Sequence, residues 1–242
     1  MTSMSSWEKR TVFLVAGLVF GLLLALKIAS PDTYHRFIQE DGALETIQAT
    51  AYLVAALLAW RVAATRPGPS SGLIRSAYLA LACGLLLVAI EEISWGQRLF
   101  DIATPEWFRR NSSQSEINIH NLHPVQSLLH PLYIAVGLVG GLSWLARPLG
   151  LADRSAFIRE VATEWYTSPY FLLCALTYIG LELAKLLSVR FGIAFFQLGD
   201  VFAWRDQEVG ETMLATGFLM FLATKLLEEA RLARSTRLAE AG

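Results

Sequence analysis

Two short stretches of this sequence concentrate side chains that could transfer protons or bind a metal. The first covers residues 91–95, Glu-Glu-Ile-Ser-Trp, at the end of a long apolar run. A charged side chain at the centre of a spanning helix costs about 2.5–3.5 kcal/mol, and less towards the helix ends. Because adjacent helical residues point about 100° apart, at least one of Glu91 and Glu92 is expected to face the protein interior. The alternative is an interfacial ion pair of either glutamate with Arg98.

The second stretch covers residues 114–123, Gln-Ser-Glu-Ile-Asn-Ile-His-Asn-Leu-His. On a helix, Glu116, His120 and His123 would share one broad face, because they are spaced by four and three residues. Carboxylate and imidazole groups on such a face can bind zinc or iron. The metal ligands predicted on this basis are Glu92, Glu116, His120 and His123. A hydrogen-bonded polar loop, built from the asparagines and histidines of the same stretch, is an equal alternative.

Three further acids complete the predicted site. Glu182 and Lys185 are three residues apart in an apolar run, and form either an intramembrane pair or a separate bundle-facing acid. Glu45 and Glu211 each begin an apolar run, where the helix dipole favours an acid. Both also begin the motif Glu-Thr-x-x-Ala-Thr, whose recurrence the dipole does not explain. The predicted catalytic residues are therefore Glu45, Glu91, Glu92, His120, His123, Glu182 and Glu211.

Long apolar runs must position these residues. The 242-residue chain is 54% hydrophobic with a mean hydropathy of +0.44, whereas a soluble domain is about 45–50% apolar. Six runs approach the ~20 residues that cross a hydrocarbon core of ~30 Å. They cover residues 11–29, 44–64, 73–94, 125–146, 168–189 and 209–229. The sequence predicts an all-α, polytopic membrane helical bundle that forms a single integral membrane domain over residues 1–242.

Charge and cysteine usage exclude several classes of function. The net charge of −1 provides no basic surplus for binding nucleic acid. Cys83 and Cys174 both lie in apolar runs, which predicts small buried hydrophobic residues and not a disulfide.

The first run is longer than the apolar region of a signal peptide and lacks a small-x-small cleavage site before Pro31, so we expect a retained helix. The sequence contains no P-loop, GxSxG or dinucleotide-binding fingerprint.

The distribution of Lys and Arg predicts an orientation in the inner membrane. If the N-terminus is cytoplasmic, twelve of the 20 Lys and Arg fall in cytoplasmic segments and six in outer loops. The positive-inside rule then places both termini in the cytoplasm. Fourteen of the 21 Asp and Glu and all four histidines lie in the outer half. We therefore expect the polar site to face the outer side of the cell membrane.

The outer loops, residues 30–43, 95–124 and 190–208, share an order of features. Each carries aromatic and basic residues, as an interfacial helix would, and then Gln and an acid before the next apolar run. The first two contain Ser/Thr-Pro-acid, which favours a helix start. Together with the motif at Glu45 and Glu211, this order predicts three related helical hairpins with convergent outer ends. The alternative is that membrane hairpins simply resemble one another in composition.

Three classes of function accommodate these patterns. The first is a membrane-embedded enzyme whose Glu/His site, with or without a divalent metal such as zinc, acts on a lipid or lipid-linked substrate, for example as a hydrolase. The second is a non-catalytic accessory subunit that contacts partner membrane subunits. The third is a transporter for an ion or small solute, which would place its binding groups near the bilayer midplane. Because the polar residues gather at one end, the sequence favours the enzyme.

The predicted topology can be tested by labelling single cysteines. In a protein that lacks Cys83 and Cys174, cysteines placed at Ser113 and at Ser70 should react with a membrane-impermeant maleimide from opposite sides of the membrane. The physical reason is that one spanning helix separates an outer loop from the next cytoplasmic loop. Reaction of both cysteines from the same side would contradict the predicted spans.

Overall fold

Helices make up 84% of the computed structural model, which describes residues 4–39, 42–65, 72–97, 100–112, 116–192 and 204–240. Within these ranges no β-strand forms, and Ser112 and Leu122 make an isolated antiparallel bridge. The predicted all-α class is therefore confirmed. Arg98, Ser113, Gln114 and the linker residues 66–71 lie outside the described ranges, so what the sequence predicts for them stays a prediction.

The helices follow the predicted runs closely. In chain order they are α1 (Ser6–Ala29), α2 (Pro31–Ile38), α3 (Ala43–Thr65), α4 (Gly72–Glu92), α5 (Glu106–Asn111), α6 (His123–Leu142), α7 (Leu151–Arg154), α8 (Ala156–Val161), α9 (Ser168–Phe191) and α10 (Gln207–Glu240). Six of them, α1, α3, α4, α6, α9 and α10, are long and apolar enough to cross a membrane, which confirms the six predicted spans. The short helices α2 and α5 begin at the two Ser/Thr-Pro-acid sequences.

A buried carboxylate joins α2 to the start of α10. Tyr34 of α2 donates a hydrogen bond to Asp206 Oδ1 (2.6 Å), and Lys27 near the end of α1 pairs with Asp206 Oδ2. Burial, and then the hydrogen bond to Asp206, raise the pKa of Tyr34 well above its usual value. The Tyr34 hydroxyl therefore keeps its proton and remains a hydrogen-bond donor at physiological pH.

Five of the spanning helices form an open, curved row. α3 packs against both α4 and α10, and α9 packs against both α10 and α6. The order along the row is therefore α4, α3, α10, α9, α6, and α1 packs outside it against α9 and α10. Among the described residues, α4 and α6 make no extensive contact with each other. The row thus has a gap between its two ends.

This order differs from the three predicted hairpins. Those hairpins pair α1 with α3, α4 with α6, and α9 with α10, but in the described part of the chain only α9 and α10 pack closely. In a bilayer, small residues decide which helices approach each other, because lipid and side chains are equally apolar. The connections between helices therefore do not determine the pairing, and the hairpin prediction is wrong for the first two pairs.

Glycines of α6 allow its close approach to α9. A Cβ at Gly137 would lie 2.8 Å from the Phe171 carbonyl oxygen and 2.9 Å from the Ala175 amide nitrogen. A Cβ at Gly140 would lie 2.4 Å from the Phe171 ring. The two helix backbones are therefore closer at these positions than any larger residue would permit.

Substitution at Gly137 tests this packing. Gly137→Ala is expected to destabilise the bundle by about 1–3 kcal/mol, because the new methyl group meets the backbone of α9. Gly84→Ala on α4 is the matched control, since its Cβ would meet nothing within 4 Å, and alanine favours a helix by up to about 1 kcal/mol. Thermal unfolding in detergent, followed by circular dichroism, measures both. Equal melting temperatures for the two variants would contradict the packing.

Candidate functional site

A cavity of about 1020 Å³ opens where α4 ends and α3, α6 and α10 begin. Its lining acids are Glu45, Glu92, Glu116, Glu182, Glu208 and Glu211, and its lining histidines are His120, His123 and His130. We refer to it by these residues as the carboxylate cavity. It brings together every predicted catalytic residue except Glu91, while the catalytic role of these residues stays a prediction. Glu45 and Glu211 both face inward, as the repeated motif predicts.

Glu91 lies buried beside the cavity and fixes the loop that carries His120. Its Oε2 accepts hydrogen bonds from the backbone amides of Ile119 (2.6 Å) and His120 (3.0 Å), and its Oε1 accepts one from Trp95 Nε1 (2.5 Å). His120 Nδ1 lies 3.4 Å from the same carboxylate. These contacts join the end of α4 to the loop before α6. Glu91 is therefore a positioning residue and does not itself line the cavity.

A left-handed turn after α4 makes these contacts geometrically possible. Ser94, Trp95 and Gly96 have φ angles of 47°, 56° and 76°. Glycine adopts this region freely, whereas each non-glycine residue costs on the order of 1–3 kcal/mol and needs surrounding contacts to hold it. The hydrogen bonds from Ser94 Oγ to Glu116 and from Trp95 to Glu91 supply such contacts. The site is thus built on a locally strained backbone.

Residues 116–122 form a loop, and α6 begins only at His123. The predicted helical face of Glu116, His120 and His123 is therefore wrong, and the alternative of a polar loop is what forms. Glu116 Oε2 accepts hydrogen bonds from Ser94 Oγ (2.5 Å) and Asn118 Nδ2 (3.0 Å). Short polar side chains that bond locally in this way compete with helical backbone bonds, which explains the loop.

The first turn of α10 places two glutamates on the cavity wall. Glu208 and Glu211 are only 6% and 9% exposed. Gln48 Nε2, in α3, donates to Glu208 Oε2 (3.2 Å) and to Thr212 Oγ1 (2.9 Å). Tyr178, in α9, donates its hydroxyl hydrogen bond to Glu211 Oε1. Each acid therefore has a neutral donor on a neighbouring helix.

The sequence analysis missed His130 and Glu208 as site residues. His130 Nδ1 lies 2.5 Å from Glu182 Oε1, and Glu182 lines the cavity, so of the two alternatives for Glu182 the bundle-facing acid forms and not the pair with Lys185. The ring of His130 also contacts that of Tyr178 at 5.0 Å between centroids. The spacing of both residues from predicted site residues could have identified them. His130 is two helical turns from His123, and Glu208 is three residues before Glu211, which places each on its partner's face.

Glu92 shares the lining of the cavity with Glu45, Glu208 and Glu211, and also with the cationic side chains of Lys185 and Arg205. Among the described residues, no three His, Cys, Asp or Glu side chains converge closely enough to hold a metal ion. The predicted ligand set of Glu92, Glu116, His120 and His123 is therefore not assembled. Glu116 and His120 are instead held by Ser94, Asn118 and Glu91.

Comparisons with known proteins give this geometry no counterpart. No family model, no curated protein and no solved structure matches the chain.

The positioning role of Glu91 can be tested with the isosteric amide. Each oxygen of Glu91 accepts from a group that can only donate (Trp95 Nε1 at Oε1, the amides of Ile119 and His120 at Oε2), so the NH₂ of Glu91→Gln must face one of these donors. A hydrogen bond to a charged group is worth about 1.5–3 kcal/mol, so we expect amide exchange in residues 116–122 to speed up by about tenfold or more.

Hydrogen–deuterium exchange with mass spectrometry measures this effect. Glu106→Gln is the matched control, because Glu106 is exposed on α5 and pairs only with neighbouring arginines of the same helix among the described contacts. Unchanged exchange of residues 116–122 in Glu91→Gln would show that the loop is held by other contacts.

Proposed function

We propose that the protein is a membrane-embedded enzyme that hydrolyses a lipid or lipid-linked substrate by acid–base catalysis in the carboxylate cavity. The observation that carries the proposal is the convergence of Glu92, Glu208 and Glu211, from the ends of two helices, on one cavity with His120. Ionisable side chains inside a membrane are rare and usually mark a functional site. Here six acids, with the cationic Lys185 and Arg205, line an open space large enough for a polar headgroup.

The arrangement supplies both a proton acceptor and a proton donor. Tyr178 donates to Glu211 Oε1, which leaves Oε2 to take a proton from an attacking water. Glu92 lines the same cavity as Glu211 and would protonate the leaving group, since a proton shared among neighbouring carboxylates relieves their repulsion. His120, oriented by Glu91, would position the polar head of the substrate. Water adds across the bond, and one proton moves from water to the leaving atom through the two acids.

A lipid substrate is supported by the shape of the cavity. Its lining continues from the polar groups along α6 to the apolar residues Leu129, Ile134 and Leu138. It also lies between the two helices, α4 and α6, that make no extensive contact in the described residues. A lipid could therefore enter sideways from the bilayer without passing through water. The excess of Lys and Arg at the opposite end supports cytoplasmic termini and an outward-facing site in the cell membrane.

The proposal is tested by incubating purified protein with a total membrane lipid extract and identifying released products by mass spectrometry. Glu211→Gln and Glu92→Gln should each lower the rate by about 10²-fold or more, the usual contribution of a general acid or base. Glu106→Gln on α5 is the control and should leave the rate unchanged. Metal analysis of the active protein, and assay after treatment with a chelator, distinguish acid–base chemistry from a metal-assisted reaction.

Two outcomes would contradict the proposal. The first is the absence of any product that depends on Glu92 or Glu211, which would favour an accessory subunit. The second is inactivation by the chelator with recovery on adding zinc, which would show a metal-dependent mechanism in place of acid–base catalysis by the glutamates alone.

A further inference from the structure

A second, apolar cavity of about 370 Å³ lies between α4 and α6. It is further from the first residue of α6 than the carboxylate cavity is. Tyr78 and Leu81 of α4, Val139 of α6, Phe171 of α9 and Phe221 of α10 are among its lining residues. Charged side chains are absent from the described lining. We refer to this space as the α4–α6 groove. Its walls can contact a hydrocarbon chain but offer nothing to an ion or polar solute.

The α4–α6 groove adjoins the carboxylate cavity along α6. Ala135 of α6 lines both of them. At a rise of 1.5 Å per residue, the α6 segment from His123 to Ser143, which lines first one space and then the other, is about 30 Å long. One molecule could therefore occupy both, with its polar end near His123 and its apolar end towards Ser143.

Polar groups at the far end of the groove are already satisfied within the protein. Thr163 Oγ1 donates to the Gly140 carbonyl (2.6 Å) and Tyr78 donates to Glu160 Oε1 (3.0 Å). Ser143 Oγ and Thr163 Oγ1 are 3.0 Å apart and share a hydrogen bond. Because these hydroxyl groups already have hydrogen-bond partners, they need no ligand. They close this end of the groove and do not form a polar route beyond it.

We propose that the α4–α6 groove binds one hydrocarbon chain of the lipid whose polar head occupies the carboxylate cavity, an inference that rests on the proposed function. The position of Ala135 in the lining of both spaces, and the uncharged lining of the groove, argue for a chain of the same molecule. Burial of the apolar surface of this chain favours binding, and this binding energy orients the head against Glu92 and Glu211. The substrate class is then an amphiphile with at least one long alkyl or acyl chain.

The test uses phosphatidylcholine with a photoreactive diazirine on the last carbon of one acyl chain, reconstituted with the protein in nanodiscs. Its cationic choline suits a cavity lined by acids. Cross-linked peptides are mapped by mass spectrometry in the wild-type protein and in Glu211→Gln. The variant shows whether the chain binds when the lipid is not hydrolysed. Labels are expected at the residues that line the groove, namely Ala77, Tyr78 and Leu81 of α4 and Val136, Val139 and Gly140 of α6.

Ala135→Phe should block the junction of the two spaces and remove most of this labelling. Ala80→Phe is the matched control, because Ala80 is an exposed α4 residue that lines neither space. Labels spread evenly over outward-facing positions such as Leu86 and Leu183, or unchanged by Ala135→Phe, would overturn the inference. If Ala135→Phe does not fold, the wild-type map decides alone. Groove labelling without turnover would contradict the proposed function but support chain binding.

Discussion

A carboxylate within the depth of a bilayer must find its hydrogen-bond partners inside the protein, because hydrocarbon offers none. In this bundle the partners lie on neighbouring helices. Gln48 links Glu208 of α10 to α3, Tyr178 links Glu211 of α10 to α9, and His130 links Glu182 of α9 to α6. The hydrogen bonds thus follow the same order, α3, α10, α9 and α6, as the packing of the row.

The described partners of Glu208 and Glu211 differ from those of the acids at the opposite end of the bundle. At the opposite end, acids pair with cations, as in Arg147 with Glu164 and Arg231 with Glu8. Burial still raises the pKa of Glu164 despite the neighbouring Arg147, so desolvation outweighs attraction there. On the cavity wall, Glu208 and Glu211 receive hydrogen bonds from the neutral side chains of Gln48 and Tyr178, and Arg205 lines the same cavity.

Sequence patterns predicted the helices well because lipid imposes a simple requirement on length and composition. Glu45, Glu92, Glu182 and Glu211 could also be placed near one cavity, since each lies near the same end of its apolar run. What the patterns could not supply was tertiary geometry. The spacing of residues 116–123 predicted one face of a helix. In the structure, the left-handed turn at Ser94 and Trp95 allows this segment to contact Glu91 as a loop. Likewise, the nearest cation to Glu182 in sequence is Lys185, but its partner is His130 on another helix.

The gap between α4 and α6 follows from the same loop. The connection between these helices, residues 93–122, is long enough to fold on itself, and Glu91 secures it through its own hydrogen bonds. The two helices therefore need no direct packing to hold the site together, unlike α6 and α9, whose contact depends on glycine. The lipid entry that we propose would need an opening between helices that leaves the polar groups of the site fixed. Because Glu91 holds the loop before α6, contact of α4 with α6 is not needed to fix these groups.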